Sequence, residues 1–106
     1  MFARSVSIRL KPNSVGQFTQ MIEQDALPLL RKQKGFQDEI MLVAPGEADA
    51  VAISLWDQKE NAAAYNRDAY PGLLKSLAKV VEGIPQVHTY EVASSTFHKI
   101  AARVTA

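Results

Sequence analysis

Apolar and polar residues alternate with a period of two in four stretches of the chain, and this alternation is typical of β-strands. The four predicted strands are residues 2–10, 36–43, 50–56 and 86–94. In the second strand, Phe36, Ile40 and Leu42 are expected to share one face. The turn sequence Pro45-Gly46-Glu47 predicts that the second and third strands form an antiparallel hairpin.

The third predicted strand is apolar on both faces. Val51, Ile53 and Leu55 fall on one face. The opposite face carries Ala50, Ala52, Ser54 and Trp56. A sheet with one face in water shows polar residues at every second position, so a covering layer is expected on each side of this strand.

The first predicted helix begins after Asn13 or Ser14, either of which is suited to be its N-cap. Its apolar stripe consists of Val15, Phe18, Met21, Ile22, Leu29 and Leu30. Pro28 lacks an amide donor and crowds the preceding turn, which predicts a kink or break between residues 24 and 28. Gly35 is the expected C-terminal stop.

The second predicted helix follows Asp57, which is expected to be the N-cap, with Glu60 completing a capping box. Pro71-Gly72 interrupts this helix. Apolar residues then recur at helical spacing, which predicts a further helical segment that ends at Gly83 and Pro85. The members of this stripe are Leu73, Leu77, Val80 and Ile84.

The predicted order βαββαβ is that of the α+β, ferredoxin-like split βαβ fold with a four-stranded antiparallel sheet. Helices cover one face of such a sheet, so the apolar opposite face predicts a homodimer that packs sheet against sheet. Residues 1–94 are expected to form the domain, and residues 95–106 a tail that packs on the partner. The alternative is that the tail folds back over its own sheet.

Composition narrows the range of functions. The 106 residues include 12 basic and 11 acidic side chains in an interspersed arrangement, which gives no support for nucleic acid or an anionic membrane as a partner. There is no cysteine, and the two histidines are far apart, so no dedicated metal site is expected. No apolar run is long enough to span a bilayer, and a cytoplasmic protein is expected.

Three motifs carry a family resemblance: Lys11-Pro12 before the first helix, Leu27-Pro28-Leu29-Leu30 leading to Gly35-Phe36, and a strand that ends in Trp56-Asp57. Between about Val6 and Glu91 the chain resembles the antibiotic biosynthesis monooxygenase (ABM) superfamily. The resemblance implies a homodimeric α+β barrel. It also implies a cofactor-independent monooxygenase or isomerase that acts on a small aromatic or quinol-like compound.

The resemblance also bears on haem degradation. Family members that degrade haem carry an asparagine, a tryptophan and a histidine at positions that correspond to Ser5 or Ser7, Tyr65 and Lys75. None of these residue types is retained here, so haem degradation is not expected. Quinol-type members place histidines where this chain has Tyr65 and Tyr70, and tyrosine titrates near 10, which makes proton transfer at neutral pH harder.

The candidate site combines residues from the strands and the second helix. Tyr65 and His88 are the candidate catalytic groups. His88 is the histidine that lies within a predicted strand, and the ordinary pKa of histidine is close to neutrality. The candidate substrate-binding residues are Ser7, Trp56 and Tyr70. Each of these residues could instead serve only the packing of the fold, and Trp56 above all is suited to anchor the sheet against the helix. The alternative function is a dimeric ligand-binding or stress-related module without turnover.

Overall fold

In the computed structural model, residues 1–46 and 48–98 are described. Four strands form one antiparallel sheet in the order β2-β3-β1-β4, with the helices on one face. The strands are β1 (Phe2–Leu10), β2 (Phe36–Val43), β3 (Asp49–Trp56) and β4 (Val81–Glu91). This is the predicted α+β, ferredoxin-like arrangement. Within the described part of the chain, no helix is both long and apolar enough to cross a membrane.

The first helical region has three consecutive parts: α1 (Val15–Met21), a π-helical turn (Ile22–Ala26) and α2 (Leu27–Arg31). The amide of Leu27 donates to the carbonyl of Ile22, five residues back, just before Pro28. Pro28 then lies in the first turn of α2, where a missing amide donor is tolerated. The predicted interruption of the regular α-helix before Pro28 is therefore confirmed, and its form is a widened turn.

The second helical region consists of α3 (Lys59–Asp68) and α4 (Tyr70–Leu77). The predicted capping box is wrong, because the N-cap is Gln58 and makes no side-chain capping hydrogen bond. Asp57 instead accepts a hydrogen bond from the Asn61 side chain at 2.8 Å. The two helices meet at Ala69, so the break falls just before Pro71, which lies in the first turn of α4.

The end of this region also differs from the prediction. β4 begins at Val81, so Ile84 belongs to a strand and is 86% exposed. Gly83 and Pro85 do not end a helix; they lie where the β1–β4 register shifts, and Gly83 has a positive φ of 68°. A bulge tolerates both residues inside an edge strand.

The core lies between the helices and one face of the sheet. Its members include Val6, Ile8 and Leu10 of β1 and the fully buried Phe18 and Trp56. A register shift between Phe36 and Asp38 moves Phe36 onto this face, opposite Trp56. Phe36 therefore does not share a face with Ile40 and Leu42, as was expected.

The opposite face of the sheet is covered only in part by the described residues. Val51 and Ile53 are partly exposed and Leu42 is 51% exposed, whereas Leu55 is buried. Leu55 and Phe97 line the same depression, and Nε2 of His98 lies 2.5 Å from a carboxylate oxygen of Asp38. The described start of the tail thus lies over its own sheet. Residues 99–106 of the predicted tail lie outside the described residues.

Candidate functional site

The cavity between the sheet and the helices is lined mainly by apolar side chains. The sheet contributes Val6, Ile8, Met41 and Ala52, and the helices contribute Ile22, Ala26, Leu30, Leu73, Leu74 and Leu77. Two of these, Ile22 and Ala26, come from the π-helical turn, so the widened turn forms part of the wall. The cavity volume is about 40 Å³.

Polar side chains cross the floor of this cavity in one row. Glu39 of β2 pairs with Ser54 of β3, and Ser54 pairs with Arg4 of β1. Directly paired residues of an antiparallel sheet point to the same face, so all three side chains point towards the helices. The row interrupts an otherwise apolar face and gives the cavity its chemistry.

Arg4 is a buried cation, only 4% exposed. One terminal nitrogen donates to Oδ1 of Asn66 at 2.9 Å, and the guanidinium carbon lies 4.0 Å from the ring centroid of Tyr70 and 5.1 Å from that of Tyr65. Such cation–π contacts favour a desolvated guanidinium. Its Nε has no hydrogen-bond partner among the described residues. Arg4 therefore retains an unused donor inside the site.

Two tyrosines face Arg4 from the helices. Burial raises the pKa of Tyr65 to about 12 and also raises the pKa of Tyr70; the charge of Arg4 opposes both shifts, and a hydrogen bond with Arg4 also opposes the shift of Tyr70. The Tyr70 side chain is buried, and beyond this contact with Arg4 its hydroxyl has no hydrogen-bond partner within the described residues. A buried polar group that is not fully hydrogen-bonded is unfavourable, so this hydroxyl is available to a ligand.

Glu39 is the acidic member of the row. Burial raises the pKa of its carboxyl to about 8, although the charge of Arg4 lowers it. A carboxyl with such a pKa changes its protonation state near neutral pH, whereas an ordinary glutamate is already ionised there. It is therefore the described side chain of the cavity that is best suited to acid–base chemistry.

The structure brings together three of the sequence-predicted site residues. Tyr65 and Tyr70 line the cavity, with ring centroids 6.1 Å apart. Trp56 stacks behind Tyr65 at 5.2 Å and donates from Nε1 to Oγ of Ser54 at 2.9 Å. Trp56 is fully buried and is not among the residues that line the cavity; it contacts Tyr65 and Ser54 from the core side.

The other two predicted residues lie elsewhere. His88 pairs with Ser5, and Ser7 pairs with Val51, so both side chains point to the face opposite the helices. Both are exposed. A joint catalytic role for His88 and Tyr65 is therefore not supported within one chain, because the sheet separates them.

Sequence reasoning missed Arg4 and Glu39. The alternation of side chains along the strands could have identified both residues. Arg4 is in register with Val6, Ile8 and Leu10 of the core face, and Glu39 is in register with Met41 and Val43. A charged residue in phase with a core face is buried, and buried charges concentrate at functional sites. Among residues 1–46 and 48–98, no group of three or more histidines, aspartates or glutamates could hold a metal ion.

No protein-family model matches the sequence, and no curated protein is significantly similar to it. Solved structures are similar in fold. One is named a candidate antibiotic biosynthesis monooxygenase, from Bordetella bronchiseptica; it has a TM-score of 0.75 and 17% identity over 86% of this chain and 95% of its own.

Two further similar structures come from Streptomyces. A monooxygenase of Streptomyces coelicolor, solved in complex with nanaomycin D, has a TM-score of 0.76 and 12% identity over 89% of this chain and 88% of its own. SnoaB of Streptomyces nogalater, a cofactor-independent oxygenase, has a TM-score of 0.72 and 12% identity over 90% of this chain and 95% of its own. The predicted ABM resemblance is confirmed at the level of the fold.

Proposed function

We propose that this protein binds a small phenolic or quinol-like aromatic compound in the cavity above Arg4, Ser54 and Glu39 and oxygenates it without a bound cofactor. The observation that carries this proposal is the buried cation Arg4, whose Nε has no hydrogen-bond partner among the described residues, beside the buried hydroxyl of Tyr70. Both residues line a cavity whose remaining lining is mainly apolar. Apolar pockets with a few convergent polar groups are typical of small-molecule sites.

The arrangement suits the chemistry of an electron-rich aromatic. Arg4 favours the anion of the substrate, and the apolar walls exclude water from it. The anion can pass one electron to dioxygen, and the two radicals combine at a ring carbon into a peroxide anion. This anion takes back the proton that the substrate lost and becomes a hydroperoxide. Loss of water from the hydroperoxide leaves a ketone or quinone, so one oxygen atom enters the product and the other leaves as water. The oxygenases of similar fold support this choice of reaction.

Access to the cavity requires side-chain movement because the cavity is narrow. Leu74 is partly exposed and lines both the inner cavity and an outer depression beside Pro85. Rotation of this side chain would join the two spaces. We infer that Leu74 forms the mouth of the site.

A homodimer that packs through the open sheet face is part of the same proposal. Val51 and Ile53 are only partly covered there, and burial of such apolar surface stabilises association. A cytoplasmic location stays a prediction of the sequence.

The experiment is a thermal-shift screen of quinols, naphthols, anthrones and haem, followed by oxygen uptake on each ligand that stabilises the protein. We expect phenolic compounds to raise Tm and at least one to be consumed together with oxygen. Tyr70→Phe should weaken both effects, whereas His88→Ala, on the other face of the sheet, is the matched control and should weaken neither. Stabilisation without oxygen uptake would instead favour the non-catalytic binding module. A panel without any stabilising phenol would refute the proposal.

A further inference from the structure

The polar row on the cavity floor has an unbalanced charge. No carboxylate oxygen lies within ion-pair distance of Arg4 in the described part of the chain, and Asn66, its side-chain hydrogen-bond partner, is neutral. Taking a guanidinium out of water without an anion is unfavourable. The site therefore favours an arriving group that can carry a negative charge.

The spacing of the row would place such a group between two polar side chains. Arg4 and Glu39 are on strands separated by β3, so their backbones are about 10 Å apart at the usual strand spacing of about 4.8 Å. Ser54 lies between them, and its small side chain accepts a hydrogen bond from Nε1 of Trp56. A ligand hydroxyl above Ser54 would have a cation on one side and a carboxyl on the other.

We propose that a weakly acidic hydroxyl compound, a phenol or an enol, binds here and shares a single proton with Glu39 opposite the charge of Arg4. This inference rests on the proposed function and names its substrate class and proton acceptor. When Glu39 is ionised, the O–H bond of the ligand breaks and its proton moves to a carboxylate oxygen of Glu39. The ligand anion then lies beside Arg4.

The surroundings of Glu39 also provide a route for the proton to leave. Glu39 lines a second depression on the surface, together with Thr19, Glu23 and Leu27. The charged and titratable groups that face Glu39 are Arg4 from β1, Tyr65 from α3, Tyr70 from α4 and Glu23 from the π-helical turn. Glu39 thus lies between the inner cavity and the surface depression, which is the position expected of a group that passes protons from one to the other.

The test is the number of protons released when phenol binds, measured by calorimetry in two buffers of different ionisation enthalpy. Phenol is largely neutral up to about pH 9, as tyrosine is. Near about pH 6, Glu39 is already protonated, and binding should release about one proton. Near about pH 9, the proton passes to Glu39, and the release should approach zero. Glu39→Gln should release about one proton at both values, and Glu23→Gln should behave like the wild type.

The outcomes separate this inference from the proposed function. If the wild type does not bind phenol at all, the proposed function fails. If it binds phenol with a proton release that is the same at both pH values, Glu39 does not share the proton and this inference alone fails. That comparison needs only the wild type, so it decides the matter even if Glu39→Gln does not fold. Toluene, which has a similar shape but no hydroxyl, should show no proton release.

Discussion

Replacing Glu39 by glutamine is expected to make the stability of the protein less dependent on pH. The pKa of this carboxyl is about 8 in the folded protein, against an ordinary value of 4.5. Between these two values the folded state holds a proton that the unfolded state has lost. The free energy of unfolding therefore falls as pH rises through this window, and it is level with respect to Glu39 below and above the window.

The magnitude follows from the size of the shift. A rise from 4.5 to about 8 corresponds to about 5 kcal/mol at about 1.4 kcal/mol per pKa unit. Glu39 is only partly buried and borders a surface depression, so solvent screening reduces this figure. We expect the wild type to lose about 2 kcal/mol relative to Glu39→Gln between about pH 5 and about pH 8.

Urea unfolding at one fixed protein concentration measures this difference, since the stability of a dimer would depend on concentration. The control is Glu23→Gln, an exposed glutamate beside the same depression, which should follow the wild type. If the wild type and Glu39→Gln instead change in parallel across the pH range, Glu39 does not hold an extra proton in the folded state.

Three further predictions concern other parts of the molecule. Gly35→Ala should lower the free energy of unfolding, measured by urea unfolding, by about 2 kcal/mol or more, because φ is 79° and a Cβ would collide with Asp57 and Asn61. Gly16→Ala, where a Cβ has open space, is the control. An equal effect of the two substitutions would mean that this collision does not occur. Tyr70→Phe should leave Tm nearly unchanged, because the buried hydroxyl that it removes has no partner beyond Arg4 among the described residues; a marked loss of Tm would mean that the hydroxyl makes a strong hydrogen bond in the free protein. Val51→Asp should abolish the proposed dimer by light scattering, with the exposed Ala63→Asp of α3 as control, and an intact Val51→Asp dimer would exclude the sheet-face interface.

The sequence predicts the architecture well because strand alternation and helical periodicity are strong local signals. β1 and β2 have the expected bounds, β3 begins one residue earlier, and the helical break before Pro28 is present. Apart from the capping box at Asp57, the predictions that failed depend on pairing between strands. The bulge after Phe36 and the bulge around Gly83 and Pro85 are set by registers that a single stretch of sequence does not contain.

Only part of the candidate site could be predicted from the sequence. Tyr65 and Tyr70 were identified because aromatic residues follow a strand end, and the structure places both in the cavity. His88 was favoured for its ordinary pKa, yet its strand phase places it on the other face. Glu39 has an unremarkable ordinary pKa, and only the burial that the fold imposes moves it towards neutrality.

Whether the cavity beside Arg4 and Tyr70 is a ligand site is best measured by ligand-induced stabilisation of a variant with a filled cavity. Ala52 lines the floor, and Ala52→Leu would occupy the space above it. We expect phenols to raise the Tm of the wild type in a concentration-dependent manner and to leave that of Ala52→Leu unchanged. Equal stabilisation of a folded Ala52→Leu would show that the ligand binds elsewhere and that this cavity is not the site.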